Sequence, residues 1–143
     1  MVKTFAVPDN RWHGTDIRIR YKDTDRMGVV YYGNYLTFFE VARAEYMRSL
    51  GFPYSELEAR GYVLAVTDAS AKYHANVGYD ALVTVRTRIS MLSRVQVRFE
   101  YQVVDADNRL IVSGETGHAC INEKMKACRM PEELLASLQE VID

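Results

Sequence analysis

One stretch, Tyr35 to Leu50, limits what this chain can fold into. At about 100° per residue its Phe38, Ala42, Tyr35, Tyr46, Phe39, Leu50, Leu36 and Met47 cover roughly half of a helix circumference. Thr37, Glu40, Glu45 and Arg48 lie mostly opposite. A helix with so wide an aromatic face must be wrapped by other structure. Asn34 before it has the chemistry of an N-cap, and Gly51 after it is a fitting stop. Arg43 falls inside the apolar arc and needs a partner. Glu40, three residues earlier, is the expected one.

The rest of the chain supplies the wrapping. Thr15 to Tyr21 alternates, with Ile17, Ile19 and Tyr21 on one side and Asp16, Arg18 and Arg20 on the other, as in a half-buried strand. Pro53 opens a short helix over Tyr54 to Arg60, closed by Gly61. Strand-like segments follow at Tyr62–Tyr73, Ala81–Leu92, Arg94–Val103 and Leu110–Asn122, with a turn at Asp105-Ala106-Asp107-Asn108. Val83, Val85, Thr87, Ile89 and Met91 form one inward set, and Val95, Val97, Phe99, Tyr101 and Val103 another. Pro131 starts a C-terminal helix over 131–142, with acidic residues in its first turn. Residues 1–14 read as a loose leader to a single domain spanning 1–143. Consecutive strands joined by short turns favour an antiparallel meander. With one long helix facing one sheet, the predicted class is α+β, a curled sheet around a central helix.

Composition narrows the function classes. The chain of 143 residues is 48% hydrophobic and 26% charged, with a formal net charge of -1. No global basic field argues for nucleic acid. No apolar run approaches the roughly 20 residues of a membrane span, and the N-terminus lacks a signal-peptide core. The default compartment is the cytoplasm, which suits two cysteines, Cys120 and Cys128, without a Cys-x-x-Cys pattern. His13, His74 and His118 show no metal-ligand spacing, so no metal is expected.

Chemistry concentrates between the first strand and the long helix. Tyr21-Lys22-Asp23-Thr24-Asp25-Arg26-Met27-Gly28-Val29-Val30-Tyr31-Tyr32-Gly33-Asn34-Tyr35 holds two close carboxylates, a glycine turn and a helix start. A helix N-terminus is electropositive and presents free N–H groups. A carboxylate delivered there can serve as base or nucleophile while the N–H groups hold a developing oxyanion. Two Asp in a loop are also common turn residues, and local chemistry leaves both readings open.

The pattern Tyr-x-Asp-Thr-Asp-x-x-Gly-Val-Val-Tyr-Tyr-Gly-Asn-Tyr, followed by a helix carrying Phe-Glu-x-Ala-Arg-x-Glu, closely resembles the hotdog-fold acyl-CoA thioesterases. The nearest branch is the 4-hydroxybenzoyl-CoA thioesterase type, including the Tol-Pal-associated enzymes, and the resemblance spans about residues 15–125. It implies hydrolysis of a short-chain or aromatic acyl-CoA to free acid and CoA. It assigns Asp25 as the catalytic carboxylate and the Tyr32 backbone N–H as the oxyanion donor. The Tol-Pal branch usually has His at the latter position; Tyr matches the hydroxybenzoyl branch, and a main-chain donor survives the change. Gly28, Val29, Val30, Tyr31 and Gly33 would line the substrate, with Asp23 shaping the loop. The resemblance also implies a homodimer or homotetramer with active sites between subunits. It implies no cofactor, coenzyme A being part of the substrate. Acyl-carrier-protein hydrolysis and a non-catalytic acyl-CoA-binding scaffold are the alternatives.

Coenzyme A needs cations for its phosphates. Arg86, Arg88, Arg94 and Arg98 share the polar faces of neighbouring strands and could form a patch. The competing reading, which general experience with strand surfaces favours, is a solvated set of edge-protecting charges. Lys72, Lys124, Lys126 and Arg129 are equally loose candidates. A His118–Cys120 nucleophile pair is conceivable on one strand face, but no orienting third group is evident. A dehydratase of this fold would need a His near the central helix, and none lies within residues 14–73.

Overall fold

The computed structural model describes residues 11–142. Its elements run β1 (His13–Arg18), a 3₁₀ turn (Tyr21–Asp23), α1 (Asn34–Ser49), α2 (Tyr54–Ala59), β2 (Val63–Tyr73), β3 (Leu82–Leu92), β4 (Gln96–Val104), β5 (Leu110–Ile121) and α3 (Glu132–Ile142). Of the leader expected over 1–14, residues 1–10 lie outside the described residues, whereas His13 and Gly14 already belong to β1.

All five strands form one antiparallel sheet, ordered β1-β3-β4-β5-β2. α1 packs against its inner face, as its wide apolar arc requires. Phe39 and Ala42 are fully buried there, and the Phe39 ring stacks on Tyr101 with centroids 4.3 Å apart and planes at 4°. Gly114 in β5 makes room for Phe39, because a Cβ at that position would collide with the ring. Leu134, Leu138 and Ile142 seat α3 in the same core. Leu36, placed by the periodicity inside the apolar arc of α1, is instead 42% exposed.

The first strand is shorter than its alternation suggested. Its ladder with β3 ends at Arg18↔Leu82, and Ile19 adds one further bond to Ala81. At Arg20 the Asp23 carboxylate captures the backbone N–H at 2.9 Å, which turns the chain out of the sheet. Tyr21, expected inward, is 79% exposed in consequence.

The meander is also shorter than expected. β3, β4 and β5 follow one another through tight turns, but β2 pairs along its length with β5 and not with β3. Alternation along a strand specifies which face is buried but not which strand lies next to it. The connection 74–81 carries the chain from one edge of the sheet to the other side. On the way it receives the Val30 N–H on the Val77 carbonyl, and Gly78 pairs with Val29. Gly78 lies so close to the Gly28 carbonyl that a Cβ would sit 2.9 Å from it.

In β3 a bulge between Ile89 and Met91 shifts the register. Leu92 is therefore fully buried in place of Met91, which a strict period of two had put inside.

Candidate active site

The loop between β1 and α1 gives its two carboxylates opposite environments. Asp23 is 5% exposed, and its carboxylate accepts the Arg20 N–H at 2.9 Å and the Arg20 guanidinium at 3.3 Å. Its carbonyl accepts the Tyr31 N–H at 2.9 Å and the Asn34 Nδ2–H at 2.8 Å. Asp23 thus ties the strand exit to the helix start. Asp25 is exposed. Its Oδ1 accepts the Met27 N–H at 2.8 Å, its carbonyl accepts the Gly28 N–H at 3.0 Å, and its own N–H donates to Val29 at 2.9 Å. Gly28 has φ +81, the left-handed conformation that closes this turn. One carboxylate oxygen is held by main chain, while no described protein group engages the other.

Asn34 does not cap the helix. It is the first helical residue, and its Nδ2–H donates back to the Asp23 carbonyl at 2.8 Å, while no side-chain cap bond is made to the helix N–H groups. The N-cap position falls to Gly33, which has no side chain to cap with, and the first turn holds no acidic residue. Among the backbone bonds of the described residues, none uses the Tyr32 or Gly33 N–H. The positive end of α1 is therefore open to an outside oxygen. A Cβ on Gly33 would come 2.9 Å from the Tyr31 ring, so the approach to these N–H groups is kept narrow.

Aromatic rings surround this end. Tyr31 and Tyr32 are 47% and 61% exposed with ring centroids 4.7 Å apart. Tyr73 at the end of β2 lies edge-on to Tyr32 and donates its hydroxyl to the Tyr32 carbonyl at 3.3 Å. The Tyr35 hydroxyl is buried, with no hydrogen-bond partner among the described residues, and burial pushes its pKa up to about 12. Val29 holds the loop to Gly78, while Val30 is buried in the core. A cleft of about 500 Å³ between β1 and α1 shares Asp23 and Asn34 with the loop anchor.

Of the four candidate arginines, Arg86, Arg88 and Arg98 are engaged elsewhere, and Arg94 lies in the turn between β3 and β4, not on a strand face. Arg98 grips Asp68 through two bonds at 2.7 and 2.9 Å and Glu115 at 2.6 Å, and its guanidinium holds the Asp68 carboxyl down to about 2. Arg88 pairs with Glu100 at 3.0 Å and lies over the Trp12 ring. Arg86 bonds to Asn108, and Arg94 is exposed. The geometry is that of surface charges clamping β2, β3, β4 and β5 together.

His118 and Cys120 do not form a pair. The His118 Nδ1 lies 3.3 Å from the Leu64 carbonyl and its Nε2 2.9 Å from the Thr116 hydroxyl. Burial lowers the His118 pKa to about 4. The Cys120 Sγ contacts Cys128 at 3.5 Å, and burial pushes its thiol up to about 12, far from a thiolate nucleophile.

Sequence reasoning missed the partners of Arg43. The guanidinium does not pair with Glu40; it donates to the Tyr54 hydroxyl at 3.0 Å and the Tyr101 hydroxyl at 3.2 Å. A helical i−3 acid is a local signal, whereas these phenols come from 11 and 58 residues away. The alternation did place Tyr101 inward, which was the available hint.

Comparison with known proteins agrees with this architecture. The thioesterase-like superfamily profile matches residues 19–138. The chain is 34% identical over 128 residues to the acyl-CoA thioesterase YbgC of Haemophilus influenzae, covering 87% of this chain and 93% of that one. It is 30% identical over 131 residues to the acyl-CoA thioester hydrolase YbgC of Escherichia coli, covering 91% and 96%. The crystal structure of a DHNA-CoA thioesterase from Staphylococcus aureus superposes with a TM-score of 0.84 at 34% identity, covering 91% of this chain and 92% of that one. The chain belongs to the thioesterase-like superfamily and is a hotdog-fold thioester hydrolase.

Proposed function

We propose that the protein hydrolyses a short-chain or aromatic acyl-CoA in the cytoplasm, with Asp25 and the Tyr32 N–H as its catalytic pair. The observation that carries this reading is the uncapped N-terminus of α1 together with a carboxylate whose second oxygen is free, in the loop that leads into that helix. The thioester oxygen sits over the helix end, and the Tyr32 N–H and the helix dipole stabilise charge as the carbonyl carbon becomes tetrahedral. Asp25 either attacks that carbon, giving a mixed anhydride that water opens, or takes a proton from an attacking water. The CoA thiolate leaves in both routes. The rings of Tyr31, Tyr32 and Tyr73 supply an apolar rim suited to an acyl or aryl group.

A second copy of the chain completes the unit in this reading. β2 is an edge strand, and Val63 and Val66 on it are 41% and 57% exposed. Unpaired edges of that kind favour pairing with an identical edge, which would enclose the substrate between subunits.

A turnover screen over short-chain, long-chain and aromatic acyl-CoAs tests the activity; no hydrolysis of any of them would refute it. Single-turnover hydrolysis in ¹⁸O-labelled water tests the route. Label in the Asp25 carboxylate supports direct attack, and label confined to the released acid supports the base role.

A further inference from the structure

The mechanism leaves Arg43 unused. Its residue is 8% exposed, and among the described residues its hydrogen-bond partners are two phenols and no carboxylate. A guanidinium carries five N–H donors, so part of its fork is left over. A cation removed from water without an opposite charge is costly, and buried charges are ordinarily paired.

The neighbouring hydroxyls hydrogen-bond the guanidinium but bring it no carboxylate. The Leu64 carbonyl only accepts, so the His118 Nδ1 carries the proton and its Nε2 accepts from Thr116. Thr116 then accepts from Tyr101 across 2.6 Å, and Tyr101 accepts from Arg43. Each hydroxyl directs its proton toward His118, which burial keeps neutral. The only donors this buried chain has left to offer are those of Arg43.

Arg43 and Thr116 lie at the floor of a cavity of about 230 Å³ between α1 and β2. Leu36, Val66 and Ala69 form its walls, and exposed Glu40 stands at its rim. Leu36 lies one turn into α1 from the open helix end, on the stripe that leads to Arg43. Helix side chains lean toward the N-terminus, so an oxygen bound by the guanidinium lies about 10 Å along the axis from Gly33 at about 1.5 Å per residue.

We infer that this cavity is the distal part of the acyl site, and that Arg43 selects acyl groups bearing a carboxylate at their far end. A planar guanidinium matches a carboxylate through two parallel bonds, while the apolar walls hold the intervening carbons. The inference rests on the acyl-CoA reading of the Asp25 site and extends its acyl range to chains of about eight carbons.

The test compares kcat/KM for suberoyl-CoA and octanoyl-CoA, which differ only by the terminal carboxylate. The wild-type protein favours suberoyl-CoA by about tenfold or more, as expected for a charge-assisted bond. In Arg43→Gln the ratio falls to unity or below. Arg43 also anchors Tyr54 and Tyr101, so a second variant guards against a folding defect. Ala69→Glu, on the exposed edge strand, tethers a carboxylate facing the guanidinium and also abolishes the preference. Equal turnover of the two substrates by the wild-type protein, a preference that survives in Ala69→Glu, or hydrolysis of neither substrate overturns the inference while leaving the Asp25 site standing. The Asp25 reading falls only if the short-chain and aromatic acyl-CoAs are not hydrolysed either.

Discussion

At its C-terminal end α1 is closed by its own chain. Gly51, at φ +86, donates to Arg48 and Phe52 donates to Met47, each at 3.0 Å, so the last carbonyls are satisfied by a Schellman turn. Arg43 adds an anchor to Tyr54 in α2. At its N-terminal end the same helix has a glycine where a capping side chain belongs, and Asn34 turns away to Asp23. The closed end serves stability, and in the proposed mechanism the open end serves chemistry. The end left uncapped is the one where that mechanism places the negative charge that develops during thioester hydrolysis.

This contrast can be broken by experiment. Asp25→Asn keeps the Met27 N–H bond through its amide oxygen but removes the charge at the open end. Turnover should fall by roughly 10²–10⁴-fold, with the thermal midpoint close to wild type; activity within a few-fold of wild type would sink the catalytic assignment. The next largest effect lies in the core beside the anchored half. His118 has a folded-state pKa of about 4 against an ordinary 6.5, so the unfolded chain binds a proton more readily between those values. Stability is full above about pH 6.5 and falls as pH drops toward 4, by roughly 3 kcal/mol in all. Denaturant midpoints across that range should show the loss, and His118→Gln should flatten it. Asp68, held at about 2, acts in a lower window, losing its contribution as pH falls below about 4.

Gly33→Asp tests the open end by closing it. A carboxylate there would accept helix N–H groups and repel a developing oxyanion. We expect kcat/KM to fall by about tenfold or more with no comparable loss of Tm; unchanged kinetics would argue against the helix end as the oxyanion site. Gly51→Ala is the counterpart at the closed end. It should cost about 1–2 kcal/mol for a left-handed non-glycine residue and leave kcat/KM alone, as read by denaturation and turnover on the same sample.

What the sequence revealed follows the range of the interactions involved. The helix, its glycine stop and the inward sets of β3 and β4 are periodic signals, and they read correctly except at Leu36, which is exposed, and where a bulge moved Leu92 inward in place of Met91. The loop was legible as a motif, and its hydrogen bonds give the two carboxylates different surroundings, Asp23 buried against Arg20 and Asp25 exposed in its own turn. The Asn34 cap was misread because an Asn before an apolar helix satisfies the capping pattern equally well when its amide serves another acceptor. Strand order and the partners of Arg43 depend on contacts between residues far apart in the chain, which alternation does not encode. The arginines of β3 and β4 share a face as expected, but the acids that occupy Arg98 come from β2 and β5.

The close approach of Gly28 and Gly78 bears on how this site could be rebuilt or moved. The loop that carries Asp25 is braced by main chain from the β2–β3 connection, through Val30 to Val77 and Val29 to Gly78. A transplanted fifteen-residue motif would therefore lack half of its scaffold. New termini opened by circular permutation at Tyr79, which is exposed, should leave the brace in place, whereas termini between Val77 and Gly78 would release it with the sheet still formed. The proposed site is thus a product of two segments meeting, and it can be lost through either one without touching a carboxylate.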